Sequence, residues 1–187
     1  DAHATGTIGN GHGTAAYYGL EKDVDIQLGT LSKSLGAVGG YVAANSTIID
    51  YLVNMSRSFI FSTALSPADI GAALAALQII ESDSSVLRRL QDNVNYMADC
   101  LNSMGIYATN ETPIFPILIG SNEDTLAVSN HLYNAGIIGT AIRPPTVPVG
   151  ESRIRLTVTA AHNREQIDYV CQTLSKAIKE LNCEGSI

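Results

Sequence analysis

Gly29-Thr30-Leu31-Ser32-Lys33-Ser34-Leu35-Gly36 is the stretch on which the reading of this chain turns. A lysine among glycines and leucines, with a hydroxyl residue on each side, is an uncommon local composition. Burial disfavours a charged amine, so a partly desolvated lysine gives up its proton more readily. The neutral amine is the nucleophile that forms Schiff bases with carbonyl compounds. A loop lysine that snorkels to water is the plain alternative, and the octapeptide alone does not exclude it. Val24–Leu28 reads as a short strand and Gly40–Ala44 as a second, which places Lys33 on the connection between them.

Further along, Thr47–Met55 reads as a helix and the aromatic run Ser58–Ser62 as a strand. Ser66-Pro67 is a helix start, with Ser66 as N-cap, Pro67 in the first helical position and Asp69 completing the cap. Ile70, Leu74, Leu77 and Ile80 then fall on one helical face. Leu87, Leu90, Val94, Met97 and Leu101 mark a second helix that ends near Gly105. The pattern then alternates. Phe115–Ile119 is a strand, Asn122–Ala135 a helix stopped by Gly136, and Ile137–Ile142 a strand. In Arg153–Thr159, Ile154, Leu156 and Val158 share one face. Asn163 with Gln166 caps a last helix striped by Ile167, Val170, Leu174, Ile178 and Leu181. The order predicts an α/β chain: the end of an α/β domain, a connecting helix, then a small α/β domain.

Hydrophobic residues make up 45% of the 187, enough for a real core. A net charge of −7 without a basic stripe argues against nucleic acid as a partner. No apolar run reaches bilayer length. Cys100, Cys171 and Cys183 form no CxxC, and no Cys/His cluster has zinc spacing, so no metal is expected. Cys100 and Cys171 lie in apolar helical patterns and suit packing in a reducing cytoplasm. Gly9-Asn10-Gly11-His12-Gly13 is not GxGxxG, no visible strand precedes it and no clear helix pattern opens on it, so it is not read as a dinucleotide fingerprint. The chain starts at Asp1-Ala2-His3 without an initiator methionine, and is expected to be a piece of something longer.

Four polar features stand far apart in sequence: His3, the Thr30/Lys33 loop, Ser62-Thr63, and Arg143-Pro144-Pro145-Thr146. His3 alone suits a structural role, and Ser62-Thr63 alone is a polar strand end. Arg143 precedes two prolines, which restrict the backbone around it. A guanidinium held in this way suits bidentate carboxylate binding.

Taken together and in order, these motifs resemble the α-oxoamine synthases, pyridoxal-phosphate (PLP) enzymes of the aspartate aminotransferase fold. The resemblance rests on Asp1-Ala2-His3-Ala4-Thr5-Gly6, the Lys33 octapeptide, Phe59-Ile60-Phe61-Ser62-Thr63 and Ala141-Ile142-Arg143-Pro144-Pro145-Thr146-Val147-Pro148. Arg153-Ile154-Arg155-Leu156 and Ala160-Ala161-His162 follow at the family's spacing. The resemblance covers nearly the whole chain, and implies the C-terminal half of that α/β fold: the end of the large mixed-sheet domain over residues 1–90 and a small C-terminal α/β domain over 91–187.

It implies pyridoxal 5'-phosphate as cofactor and Lys33 as the lysine of the internal aldimine. His3 matches the residue that hydrogen-bonds the pyridoxal 3′-oxygen, and Thr30 a phosphate contact. Ser62 and Thr63 match a phosphate contact that the neighbouring subunit of a homodimer supplies. Arg143 matches the binder of the substrate carboxylate, and Thr146 a nearby substrate contact. The Ala141–Pro148 stretch looks most like the branch of biotin biosynthesis that condenses L-alanine with pimeloyl-CoA or pimeloyl-acyl carrier protein in the cytoplasm. Sister branches take glycine or serine. Regulatory subunits of this superfamily can lack the lysine, which this chain has. The family's pyridinium-binding aspartate falls upstream of Asp1. His12 stands where many relatives have arginine. The isolated 187 residues are therefore expected to be inactive by themselves.

Overall fold

The computed structural model describes residues 2–184, with side chains up to residue 181; Asp1 and the side chain of Cys183 lie outside the described residues. The chain divides into two compact units, residues 1–87 and 88–187.

In the first unit a short α1 (Thr14–Tyr17) precedes two antiparallel strands, β1 (Ile26–Thr30) and β2 (Gly40–Ala44), paired from Ile26↔Ala44 to Thr30↔Gly40. Helices α2 (Ser46–Met55), α3 (Arg57–Ile60) and α4 (Pro67–Ser82) follow. The small core joins the strand connection to α4: Leu31, Leu35 and Ala37 pack with Ala73, flanked by Tyr41, Ala76 and Ile80. Full burial of a leucine is worth about 1.5–3 kcal/mol, so Leu31 and Leu35 pin the connection from both sides of Lys33. Gly29 faces Tyr41 across the ladder. A Cβ there would come within 2.3 Å of the tyrosine ring, so only glycine leaves room for it.

The α4 start is built as its residues predict. Ser66 Oγ accepts from the Asp69 N–H at 3.1 Å and donates to Asp69 Oδ2 at 2.6 Å. Asp69 Oδ1 also accepts from the Val38 N–H at 3.2 Å, which ties the helix start to the end of the lysine loop. The Ser66 hydroxyl first, and the Val38 N–H second, hold the Asp69 carboxyl below its ordinary pKa. A carboxylate favoured in the folded state stabilises above its unfolded pKa, and that contribution is lost as pH falls through the depressed folded value. Asp69→Asn is therefore expected to lower the thermal midpoint at neutral pH. The gap to the parent should close on acidification below the usual carboxylate range. A gap independent of pH would contradict this.

Two expectations for this unit fail. Ser58–Ser62 is not a strand: the Ile60 and Phe61 N–H groups bond back to Ser56 and Arg57 carbonyls, making the helical turn α3. Arg57 lies 5.3 Å over the Phe61 ring, an i,i+4 contact that only a helical turn provides. Short apolar runs carry no periodicity that separates helix from strand. On α4 the buried face is Ala73, Ala76 and Ile80, whereas Ile70 and Leu74 are 52% and 55% exposed. That helix is apolar all round, so its pattern does not select a face.

In the second unit β5 (Ser152–Thr157) is the centre of an antiparallel sheet ordered β3-β5-β4, with β3 at Ile114–Gly120 and β4 at Thr140–Ile142. Helices α5 (Ser84–Ser103, which begins in the first unit), α6 (Asn122–Asn134) and α7 (Arg164–Glu184) complete the chain. Phe115, Ile117, Ile154 and Leu156 turn into a core with Leu90, Val94, Met97 and Leu101 of α5, Val128 and Leu132 of α6, and Ile167, Cys171 and Leu174 of α7. All three helices thus cover one face of the sheet. The other face carries Pro116, Leu118, Thr140, Arg153, Arg155 and Thr157, as an antiparallel sheet with one open side permits. The Asn163 and Gln166 side chains each accept from the other's backbone N–H, at 2.9 and 3.0 Å respectively, which caps α7.

The strand expected from Ile137 starts only at Thr140. Gly136, at φ +77°, closes α6 with a Schellman motif: its N–H bonds Tyr133 O, and the Ile137 N–H bonds Leu132 O at 2.9 Å. Ile137 is thereby committed to the helix end and its side chain to the core. Among the described residues no single helix is long and apolar enough to cross a membrane.

Candidate active site

Lys33 sits at the apex of the β1–β2 connection. The Leu31 N–H bonds Gly39 O at 2.9 Å, the Ala37 N–H bonds Leu31 O at 2.8 Å, and the Gly36 N–H bonds Lys33 O at 3.0 Å. These bonds close the loop upon itself and present Lys33 outward. Thr30 Oγ and Ser32 Oγ are 2.8 Å apart, and the Ser32 N–H donates to Thr30 Oγ at 3.2 Å. Three hydroxyl residues and one amine therefore crowd the five positions from Thr30 to Ser34. Lys33 has no ion-pair partner among the described residues, and its side chain is exposed. The desolvation expected of it is absent, because Leu31 and Leu35 turn inward to α4 and leave Lys33 without an apolar surround.

The turn that carries His3 meets this loop. Ser34 Oγ donates to Thr5 O across 29 positions of sequence. Gly6, at φ +78°, makes the approach possible: a Cβ there would stand 2.7 Å from Ser34 Oγ. Thr7 Oγ donates to His3 O at 2.6 Å and to Ala4 O at 2.9 Å, which fixes the turn. Thr5 Oγ lies 3.3 Å from the Tyr41 hydroxyl, a second tie between this turn and the sheet. The structure thus brings the His3 turn and the Thr30/Lys33 loop together.

Ser62 and Thr63 are exposed beyond α3. Ser62 Oγ donates to Ser58 O, and among the described residues neither side chain bonds to the lysine loop.

Arg143 and Thr146 belong to the second unit. Arg143 leaves the end of β4 exposed, the Pro144–Pro145 bond is cis, and the Thr146 N–H turns back to Arg143 O at 3.0 Å. Arg143 has no acidic partner among the described residues. Arg155 shares that property. It stands exposed on the open sheet face, level with Thr140. Arg153, beside it, is committed to Glu151 at 2.9 Å through both side chain and backbone. Sequence reading singled out Arg143 and passed over Arg155. The strict alternation of Arg153–Thr159 was the signal that puts Arg155 on the open face. Among the described residues no three His, Cys, Asp or Glu side chains are grouped to hold a metal ion.

The donor set at Lys33 suits a phosphate-bearing aldehyde: the Thr30 and Ser32 hydroxyls for the phosphate, an unpaired amine for the carbonyl. Residues 1–174 match the family model of aminotransferase class I and II. The chain is 45% identical over 183 residues to an 8-amino-7-oxononanoate synthase of Lysinibacillus sphaericus, covering 97% of this chain and 47% of that protein. It is 47% identical to a putative 8-amino-7-oxononanoate synthase of Bacillus licheniformis, covering 97% of this chain and 48% of that protein. The chain spans about half the length of the curated relatives it matches.

Among solved structures, serine palmitoyltransferase from S. paucimobilis with a bound PLP–myriocin aldimine superposes with a TM-score of 0.91 at 27% identity, over 98% of this chain and 47% of that one. The 8-amino-7-oxononanoate synthase of Francisella tularensis superposes with a TM-score of 0.85 at 25% identity, over 97% of this chain and 54% of that one.

Proposed function

The chain belongs to the aminotransferase class I and II family, and from that premise we propose that its protein is an 8-amino-7-oxononanoate synthase. The reaction is the PLP-dependent condensation of L-alanine with a pimeloyl thioester, of coenzyme A or acyl carrier protein. The products are 8-amino-7-oxononanoate, carbon dioxide and free thiol, a step of biotin biosynthesis. The observation that carries the reading is the Lys33 loop: an unpaired amine fixed between hydroxyl side chains and tied to the His3 turn.

In this reading Thr30 holds the cofactor phosphate, with Ser62 and Thr63 contributing from a second subunit of a homodimer. His3 donates to the ring 3′-oxygen. The cofactor supplies the electron sink that makes an α-carbon acidic. The chain supplies the rest. The Lys33 amine would hold the cofactor aldehyde and, when not so engaged, would be the base placed to take the α-proton of alanine. A guanidinium of the second unit grips the alanine carboxylate. Arg143, followed by Thr146, and Arg155 are the two candidates, because Arg153 is already paired with Glu151. Most of the exposed large apolar side chains, Leu28, Phe59, Phe61 and Leu74 among them, lie in the first unit, which suits further protein covering it.

The test is a product assay on the intact protein with PLP, L-alanine and pimeloyl-CoA, beside glycine and serine with short and long acyl-CoAs. Preferential formation of 8-amino-7-oxononanoate supports the reading. The close superposition on serine palmitoyltransferase favours one rival: if serine with a long acyl-CoA prevails, the Lys33 chemistry stands and the biotin assignment falls.

A further inference from the structure

The second unit holds a group of reactive side chains that the proposed chemistry does not use. Cys100 of α5 and Cys171 of α7 both line a cavity of about 390 Å³, with Ser103, Asp168, Lys176 and Lys179 around it. Cys100 is half-buried and Cys171 buried. The Cys100 thiol donates to Asp168 Oδ1 at 3.9 Å, and Cys171 lies one helical turn beyond Asp168. The Cys171 thiol rests 3.6 Å from Met97 Sδ. Asp168 also accepts from the Tyr96 hydroxyl at 2.6 Å, so the carboxylate that faces Cys100 is held in place.

We propose that Cys100 and Cys171 form a redox-responsive pair that closes a disulfide between α5 and α7 when a peroxide enters this cavity. The order of attack follows from the surroundings. Burial, and then the neighbouring Cys100, push the Cys171 thiol up to about 12. The thiolate is the reactive form, so the more accessible Cys100 reacts first. Its sulfur attacks the O–O bond of hydrogen peroxide, gains one oxygen as sulfenic acid, and one water leaves. The Cys171 sulfur then displaces the sulfenic hydroxyl, which departs as a second water with the Cys171 proton. Two thiols lose two electrons and one peroxide becomes two waters.

The experiment exposes the reduced protein, in a Cys183→Ser background, to hydrogen peroxide and maps a non-reducing digest by mass spectrometry. The expected result is a peptide pair joined through Cys100 and Cys171, absent in Cys100→Ser and returned to free thiols by dithiothreitol. The thermal midpoint should rise on oxidation and fall back on reduction, as a cross-link of distant positions does. In Cys171→Ala, Cys100 should instead be captured by dimedone as sulfenic acid. Two unmodified thiols after peroxide, or Cys100 advanced to sulfinic acid beside a free Cys171, would overturn the proposal.

Discussion

In a Lys33→Ala variant the condensation rate is expected to fall by at least ~10³-fold, about 4 kcal/mol of transition-state stabilisation. The size follows from two roles in one side chain. A positioned acid–base group contributes typically ~10²–10⁴-fold, and the same amine also fixes the cofactor. Folding should be unaffected, since Lys33 is exposed and exposed substitutions usually shift stability within about 0.5 kcal/mol. The loop is closed by backbone bonds of Leu31, Gly36 and Ala37 and by the burial of Leu31 and Leu35, none of which needs the amine. An unchanged circular dichroism spectrum and thermal midpoint beside the lost rate would separate chemistry from structure. Substantial residual synthase activity would sink the role given to Lys33.

The second large effect is expected at the carboxylate clamp. Charge-assisted hydrogen bonds to an ionised partner contribute roughly 1.5–3 kcal/mol, so removing the clamp should raise the KM for alanine by about ten- to a hundredfold. Arg143→Ala and Arg155→Ala are to be measured side by side. The larger rise identifies the guanidinium in direct contact, because both are exposed and neither has an acidic partner among the described residues. Arg153→Ala is the internal control, since its guanidinium is already bound by Glu151 at 2.9 Å. An unchanged alanine KM in both the Arg143 and the Arg155 variants would remove the second unit from substrate binding.

What could be read from sequence was what local chemistry decides. Ser66 with Asp69, and Asn163 with Gln166, are caps whose partners lie three residues apart, and both form as written. Gly40–Ala44 and the Ile154/Leu156/Val158 alternation likewise depend on near neighbours. The failures share one cause: tertiary context chose between local options of similar energy. Phe59 and Ile60 suit a strand, but Ser56 and Arg57 offer a helical turn. Ile137 suits a strand, but Gly136 recruits it to finish α6. The α4 pattern favours its large side chains, but the lysine loop packs on the small ones, Ala73 and Ala76.

The site shows the same division. The octapeptide announced Lys33 and Thr30, and the tie from Ser34 to the His3 turn needed the fold to be seen. The desolvation of Lys33 was inferred from its neighbours' composition, yet the side chains of Leu31 and Leu35 point away from it.

The measurement that bears most directly on the central claim is borohydride reduction of the protein incubated with PLP, followed by peptide mapping. The account predicts a reduced phosphopyridoxyl group on the peptide containing Lys33 and on no other. A label spread over Lys22, Lys176 and Lys179, or missing from Lys33, would contradict it.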